Sequence, residues 1–175
     1  MQERLFDIDT ALLTPRTVVR RFREEDGPEV YQLILNNRSW LDDFHSRWIE
    51  DMNTPTEAEK YVRIQLAAWL TQQAYHFGVW DKDQATLVGL VRVFEIDWHI
   101  PKAALEFFIA PEFSQKGIMT EVLLMVSEFA FEELRLEKLS LKLAMDNYPG
   151  QRLARKCGFR REGDLRAEFK MPGGE

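Results

Sequence analysis

Cysteine is almost missing from this chain. Cys157 stands alone among 175 residues, which excludes an internal disulfide and any cysteine-rich metal site. Histidine is nearly as sparse: His45, His76 and His99 lie far apart with no ligand spacing, so no metal is expected. No run approaches the roughly 18 apolar residues of a membrane span, and the start, MQERLFDIDT, has no apolar signal core. Basic excess is lacking as well. The 23 Lys and Arg against 29 Asp and Glu leave a net charge of -6, which argues against non-specific nucleic-acid binding. There is no internal repeat, low-complexity stretch or linker. These absences leave the expectation of one soluble, cytoplasmic domain with no metal, nucleic acid or membrane partner. Cys157 itself reads as a small buried hydrophobe at a helix end.

What is present is an ordinary globular mixture, 45% hydrophobic and 30% charged, able to bury a sizeable core. The acidic balance suits a cationic small molecule or a basic protein segment as partner.

The chain is organised around Phe107 to Phe131, FFIAPEFSQKGIMTEVLLMVSEFAF. Phe107-Phe108-Ile109-Ala110, following Ala103-Ala104-Leu105, has the apolar run of a buried strand, and Pro111 ends its pairing. A short polar loop, Glu112 to Lys116, leads to Gly117. Beyond it Ile118, Val122, Met125 and Phe129 fall at helical spacing, with Met119, Leu123, Val126 and Ala130 on the next row. A helix that starts beside a glycine offers unpaired N–H groups and the positive end of its dipole, which suits a phosphate. An ordinary strand-to-helix connection has the same pattern.

On either side the elements alternate. Thr17 to Arg23 reads as a first strand, with Arg20, Arg21 and Arg23 on a solvated edge, and Glu24-Glu25-Asp26 with Pro28 opens a helix through Ile34. Asn36 to Asn53 reads as irregular, an aromatic loop with Trp40, Leu41, Phe44 and Trp48 that forms either a pocket wall or simple packing. Thr54-Pro55-Thr56-Glu57 has the cap, proline and glutamate of a helix start. Strands are expected at Tyr75–Trp80, Leu87–Ile96, Ala103–Ala110 and Leu139–Ala144. Pro149 then opens a helix that ends at Gly158, and a last strand is expected within Phe159 to Lys170. The order β-α-α-β-β-β-α-β-α-β gives a mixed α/β (α+β) layer arrangement around one sheet, one domain over 1–175.

Four segments carry a family likeness: TVVRRFREEDGPEVYQLI, LVGLVRVFEI, PEFSQKGIMTEVLLMVSEFAFEELRLEKLSLKLAMDN and RLARKCGFRREGDLR. The chain resembles the GNAT superfamily of N-acetyltransferases, in its RimJ/RimL-like, ribosomal-protein N-acetyltransferase type branch. The resemblance implies a central, mostly antiparallel mixed sheet flanked by helices, and acetyl-CoA as co-substrate. It implies that Phe108, Ile109 and Ala110 offer backbone groups to the pantetheine arm. Ser114, Gln115, Lys116, Gly117, Ile118 and Met119 would hold the pyrophosphate. Asn147 would contact the cofactor, with Arg152 and Lys156 near its nucleotide end, although Lys156 also fits a solvated surface charge.

The chemistry implied is direct attack of a neutral amine on the thioester, an acyltransferase reaction. Deprotonating an α-amine at pH 7 costs roughly 1 kcal/mol, and a lysine amine roughly 4–5 kcal/mol. Proximity and a hydrogen bond to the oxyanion supply much of the rest. Glu106, two residues beyond Ala104, where the branch usually has glutamate, shares its strand face and is the base candidate. Tyr148 is the candidate thiolate protonator, since Gly150 replaces a frequent serine. Trp40 and Phe44 are expected to wall the acceptor pocket. His76 could line it too, or be a hydrogen-bonded structural histidine. The loop departs from the branch pattern at Glu112 and Gln115, keeping only Gly117. The branch's final strand has no counterpart before the chain stops at Glu175. Truncation, or completion of the sheet by a partner chain such as a homodimer, are the two readings.

Acceptors in keeping with this are a primary amine of a small molecule, such as a polyamine or aminoglycoside, or a basic protein N-terminus. The rival reading is a catalytically degenerate member that binds acyl-CoA or a protein partner without transfer.

Overall fold

The computed structural model of the chain describes residues 11–44 and 46–168, with the side chains of Phe44 and Ser46 left aside. In chain order the elements are β1 (Ala11–Leu13), β2 (Thr17–Arg21), α1 (Gly27–Asn36), α2 (Arg38–Phe44), α3 (Ser46–Ile49) and α4 (Pro55–Leu70). Then follow β3 (Tyr75–Asp81), β4 (Leu87–Asp97), β5 (Lys102–Ile109), a 3₁₀ turn (Pro111–Phe113), α5 (Ile118–Glu128), a π-helical turn (Phe129–Glu133), β6 (Lys138–Leu141) and α6 (Tyr148–Lys156).

The strands form one six-stranded sheet in the order β1-β2-β3-β4-β5-β6. Every neighbouring pair is antiparallel except β5 with β6, which is parallel. This is the expected mixed, mostly antiparallel sheet flanked by helices. Side chains alternate across it. Val91, Val93, Ala103 and Leu105 pack with Ile118, Met119, Val122 and Val126 of α5 on one face. Leu90, Phe108 and Trp80 pack on the other with Val30 and Ile34 of α1, Leu41 of α2, Ile49 of α3, and Ala58 and Val62 of α4. Central β3 is buried along its whole length, as a strand covered on both faces must be.

Local chemistry sets the element ends. Thr54 accepts from the backbone N–H of Glu57 at 3.2 Å, while Glu57 reaches back to the N–H of Asn53 at 2.8 Å, closing a capping box one residue wide of the usual pairing. Gly158, at φ +87°, ends α6, and the N–H of Phe159 bonds back to the carbonyl of Ala154.

Two expectations are corrected. Asn36 to Asn53 is helical for most of its length, not an irregular loop, because Leu41, Trp48, Ile49 and Met52 gain burial that single-segment propensity does not register. The strand expected after Phe159 is not formed over 159–168, and residues 169 and 170 lie outside the described part. This tail is mostly exposed and is tied by side chains to β6 and the residue after it, Glu162 to Lys138 and Glu168 to Lys142, with no backbone ladder over 159–168. Strand β1 has no counterpart in the sequence reading. Arg20 is not on a solvated edge: it pairs with Asp26 and lies 3.6 Å above the ring of Trp80.

Candidate functional site

Strands β5 and β6 run side by side only from Lys102↔Lys138 to Leu105↔Leu141. Beyond that point β5 continues to Ile109 against β4, whereas β6 ends and the chain turns away toward α6. The sheet therefore forks, and the edge of β5 from Glu106 to Ile109 that faced β6 loses its strand neighbour. A cavity of about 290 Å³ occupies the fork. Phe107, Phe108 and Ile109 line one wall, and Asn147, Pro149, Gly150, Arg152, Leu153 and Lys156 the other. Ser114, Gln115, Gly117, Met119 and Thr120 close it at the start of α5, and Trp40 of α2 reaches in from the far face.

The loop before α5 is held from within. Ser114 donates through Oγ to the carbonyl of Pro111 at 2.7 Å. Gln115 has φ +56° and Gly117 φ +82°, so left-handed residues flank Lys116. No side chain caps α5 among the described residues, which leaves its first N–H groups and the positive dipole end turned to an incoming group. The departure at Gln115 is thus conformational as well as chemical: it adopts the backbone region that favours glycine. Glu112 sits exposed on the 3₁₀ turn and does not line the cavity.

Of the other residues named from sequence, Ala110 and Ile118 are buried, and Lys116 lies over the ring of Phe113. Asn147 lines the cavity but its Oδ1 is engaged, accepting from the N–H of Gly150 at 3.0 Å as the cap of α6. A Cβ at position 150 would stand 2.8 Å from Asn147 Nδ2, so glycine there is what permits this cap rotamer. Tyr148 is exposed and does not line the cavity: as the first residue of α6 it projects to solvent.

A second constellation lies on the α1–α4 face of the sheet. His76, Arg92 and Glu106 are cross-strand partners on β3, β4 and β5. Arg92 donates to Glu106 Oε2 through Nε at 2.8 Å and also through Nη2, and its guanidinium lies between the rings of Trp48 and Phe94. Glu106 stands where the fork opens, directly after the last residue paired with β6. His76 is only 4% exposed and does not line the cavity, so its placement is that of the structural histidine. Its Nδ1 is 2.7 Å from Tyr61 Oη, which accepts from Trp48 Nε1 at 2.9 Å. The indole donates to the phenol oxygen, and the phenol and Nδ1 share a second hydrogen bond whose donor is set by the histidine tautomer. Burial, then the nearby Arg92 charge, pushes His76 down to about 3, and burial raises Tyr61. Both are neutral at pH 7. The side chain of Phe44 falls outside the described part.

Sequence reasoning missed Arg16, Tyr61 and Arg92, and placed Trp48 only within the aromatic stretch. Arg92 was readable in principle, since the β4–β5 hairpin register sets it opposite Glu106. The others depend on contacts with no local signal.

The acetyltransferase (GNAT) domain family matches residues 16–160. The chain belongs to that family. The spermidine N(1)-acetyltransferase of Vibrio cholerae is 34% identical over 80% of this chain and 77% of its own. Among solved structures, the ribosomal-protein-S5-alanine acetyltransferase of Vibrio fischeri superposes with a TM-score of 0.87 at 18% identity, covering 95% of this chain and 91% of that one. RimL, a ribosomal L7/L12 alpha-N-protein acetyltransferase solved with CoA, gives 0.85 at 20% identity over 95% and 91%. The RimJ/RimL-like branch named from the motifs is thus among the folds this GNAT domain matches. The protein is an N-acetyltransferase of GNAT type, and the family's co-substrate is acetyl-CoA. Among the described residues no helix is long and apolar enough to cross a membrane, and no three metal-ligating side chains gather.

Proposed function

We propose that this GNAT protein transfers the acetyl group of acetyl-CoA to a primary amine, by direct attack of the neutral amine on the thioester carbon. The carbon–nitrogen bond forms, the carbon–sulfur bond breaks, and the amine proton is taken up as the thiolate leaves. The observation that carries this is the cavity in the sheet fork, backbone-lined at one end and flanked by cations on its α6 wall. The residues fit the co-substrate. Gly117, Ile118 and Met119 would offer N–H groups to the pyrophosphate, and the edge of β5 beyond Leu105, where β6 has turned away, would take the pantetheine arm. Arg152 and Lys156 would face the nucleotide end.

Glu106 is the proposed base or amine holder, and Trp40 with Phe44 the proposed acceptor wall. Glu106 already accepts two hydrogen bonds from Arg92, which leaves little capacity to strip a strongly basic amine. An α-amine, with its smaller deprotonation cost of roughly 1 kcal/mol, suits this arrangement better than a polyamine. Polyamines remain a class to test, because the V. cholerae relative is named for spermidine. No observation favours the degenerate reading.

Calorimetric titration with acetyl-CoA, with free CoA beside it, tests the first half. Micromolar binding is expected. Thiol release with a peptide bearing a free N-terminus and with spermidine tests the second. No heat with either nucleotide would sink the enzyme reading.

A further inference from the structure

Arg16 lies in the turn between β1 and β2, far in sequence from the site. That turn is fastened throughout. Thr14 and Thr17 are buried, with their hydroxyls 2.6 Å apart, and the Thr17 N–H bonds to Thr14 Oγ1 at 2.9 Å. The carbonyl of Arg16 accepts from the N–H of Lys82 at 3.0 Å. From this fixed base the guanidinium crosses to the loop before α5. Nη1 donates to the carbonyl of Lys116 at 2.7 Å, while Nε and Nη2 donate to Glu121 Oε1 at 3.2 and 2.9 Å.

The carbonyl it holds is the one between the two left-handed residues. A peptide unit is planar and trans, so fixing the Lys116 carbonyl toward Arg16 points the Gly117 N–H the opposite way. Gln115 and Gly117 line the cavity while Lys116 does not, as that orientation requires. The same guanidinium neutralises Glu121, an acidic group in the first turn of α5, where a phosphate would otherwise meet it. Glu121 Oε2 is buried with no partner, so Arg16 provides the carboxylate's hydrogen bonds among the described residues.

We infer that Arg16 is a positioning residue for the pyrophosphate-binding loop, setting the Lys116–Gly117 peptide plane without touching the reacting atoms. This rests on the acetyl-CoA reading. It separates the two ends of the co-substrate: Arg16 governs binding of the diphosphate and leaves the thioester end alone.

The test compares acetyl-CoA with S-acetyl-pantetheine, which carries the thioester but no pyrophosphate. In Arg16→Ala, KM for acetyl-CoA and Kd for CoA should rise on the order of tenfold with kcat nearly unchanged, while kcat/KM for S-acetyl-pantetheine stays at the wild-type value. Arg16→Lys, which can reach one acceptor but not all three bonds, should fall between, with a wild-type thermal midpoint. Equal losses with both donors, or no change with either, would overturn the inference. So would full restoration of CoA affinity by adding Glu121→Gln to Arg16→Ala, since charge alone would then account for the loss. A wild-type protein that binds CoA with Arg16→Ala indistinguishable from it sinks only this inference. A wild-type protein that binds no CoA overturns it together with the proposed function.

Discussion

The loop at the start of α5 and the cluster on the α1–α4 face of the sheet are built from different materials. At the start of α5 the groups turned to the cavity are backbone N–H groups, placed by the φ of Gln115 and Gly117 and by a helix end. Beneath Trp48 the groups are side chains in a chain of contacts, Trp48 to Tyr61 to His76 on one side and Arg92 to Glu106 on the other. A backbone site asks only that each residue adopt the needed φ and ψ, so it tolerates changes of side chain. A side-chain network fails when one member goes, because buried partners are left unsatisfied. Substitutions on the second side should therefore cost more than those on the first.

Glu106→Gln is the sharpest way to break the comparison. It keeps the shape and removes the charge that Arg92 holds. If Glu106 is the base, kcat/KM for the amine should fall on the order of 10²–10⁴-fold with CoA affinity unchanged in calorimetry. A parallel loss of CoA affinity would mean that the two sides are not separate.

The acid limb of stability comes next. His76 titrates near 3 in the fold and near 6.5 when unfolded, so between those values the unfolded chain binds more protons. The contribution is complete above pH 6.5 and is lost as pH falls toward 3, at up to about 1.4 kcal/mol per pH unit. Urea unfolding of wild type and His76→Gln across pH 4 to 7 reads this, and the variant should lose that part of the slope. Identical slopes would show that water reaches His76.

Tyr61→Phe is smaller in effect but more local. It strips the acceptor from Trp48 Nε1 and the hydrogen-bond partner from His76 Nδ1 at once, at about 1–3 kcal/mol of stability. Denaturant midpoints measure that cost. Amine kcat/KM should drop as Trp48 loses its tether, while CoA titrates as in wild type.

The same contrast explains how much could be read from the chain alone. The succession of β2 to β6 along the chain, the strand-loop-helix around Gly117 and the cap at Thr54 follow from apolar period, glycine and proline placement, all of which act within a few residues. Residues 36–53 were misread because the helices there are stabilised by burial of Leu41, Trp48 and Met52 against distant elements. The tail after Phe159 was misread for the converse reason: its residues alternate enough to suggest a strand, but a strand exists only where a ladder forms. Phe108, Ile109, Gln115 and Gly117 could be named as lining residues because the loop is contiguous. Arg16, reaching a carbonyl 100 positions away, leaves no trace in any window.

Gln115→Gly is the smallest expected effect and bears most directly on the backbone side. At φ +56° a residue with a Cβ carries a cost of about 1–2 kcal/mol that glycine escapes. Glycine also gains freedom in the unfolded chain, worth about 0.5–1 kcal/mol in the opposite sense. The difference leaves glycine ahead by about 0–1.5 kcal/mol, so the unfolding midpoint should stay level or rise by a few degrees. Because Gln115 already holds the left-handed turn, the N–H groups beyond it gain nothing new from glycine, and CoA affinity should stay within about threefold of wild type. A gain of tenfold or more would locate the obstacle in the glutamine side chain itself, standing in the diphosphate's place, and the claim that this loop tolerates side-chain change would fall at the residue where it is most exposed to test.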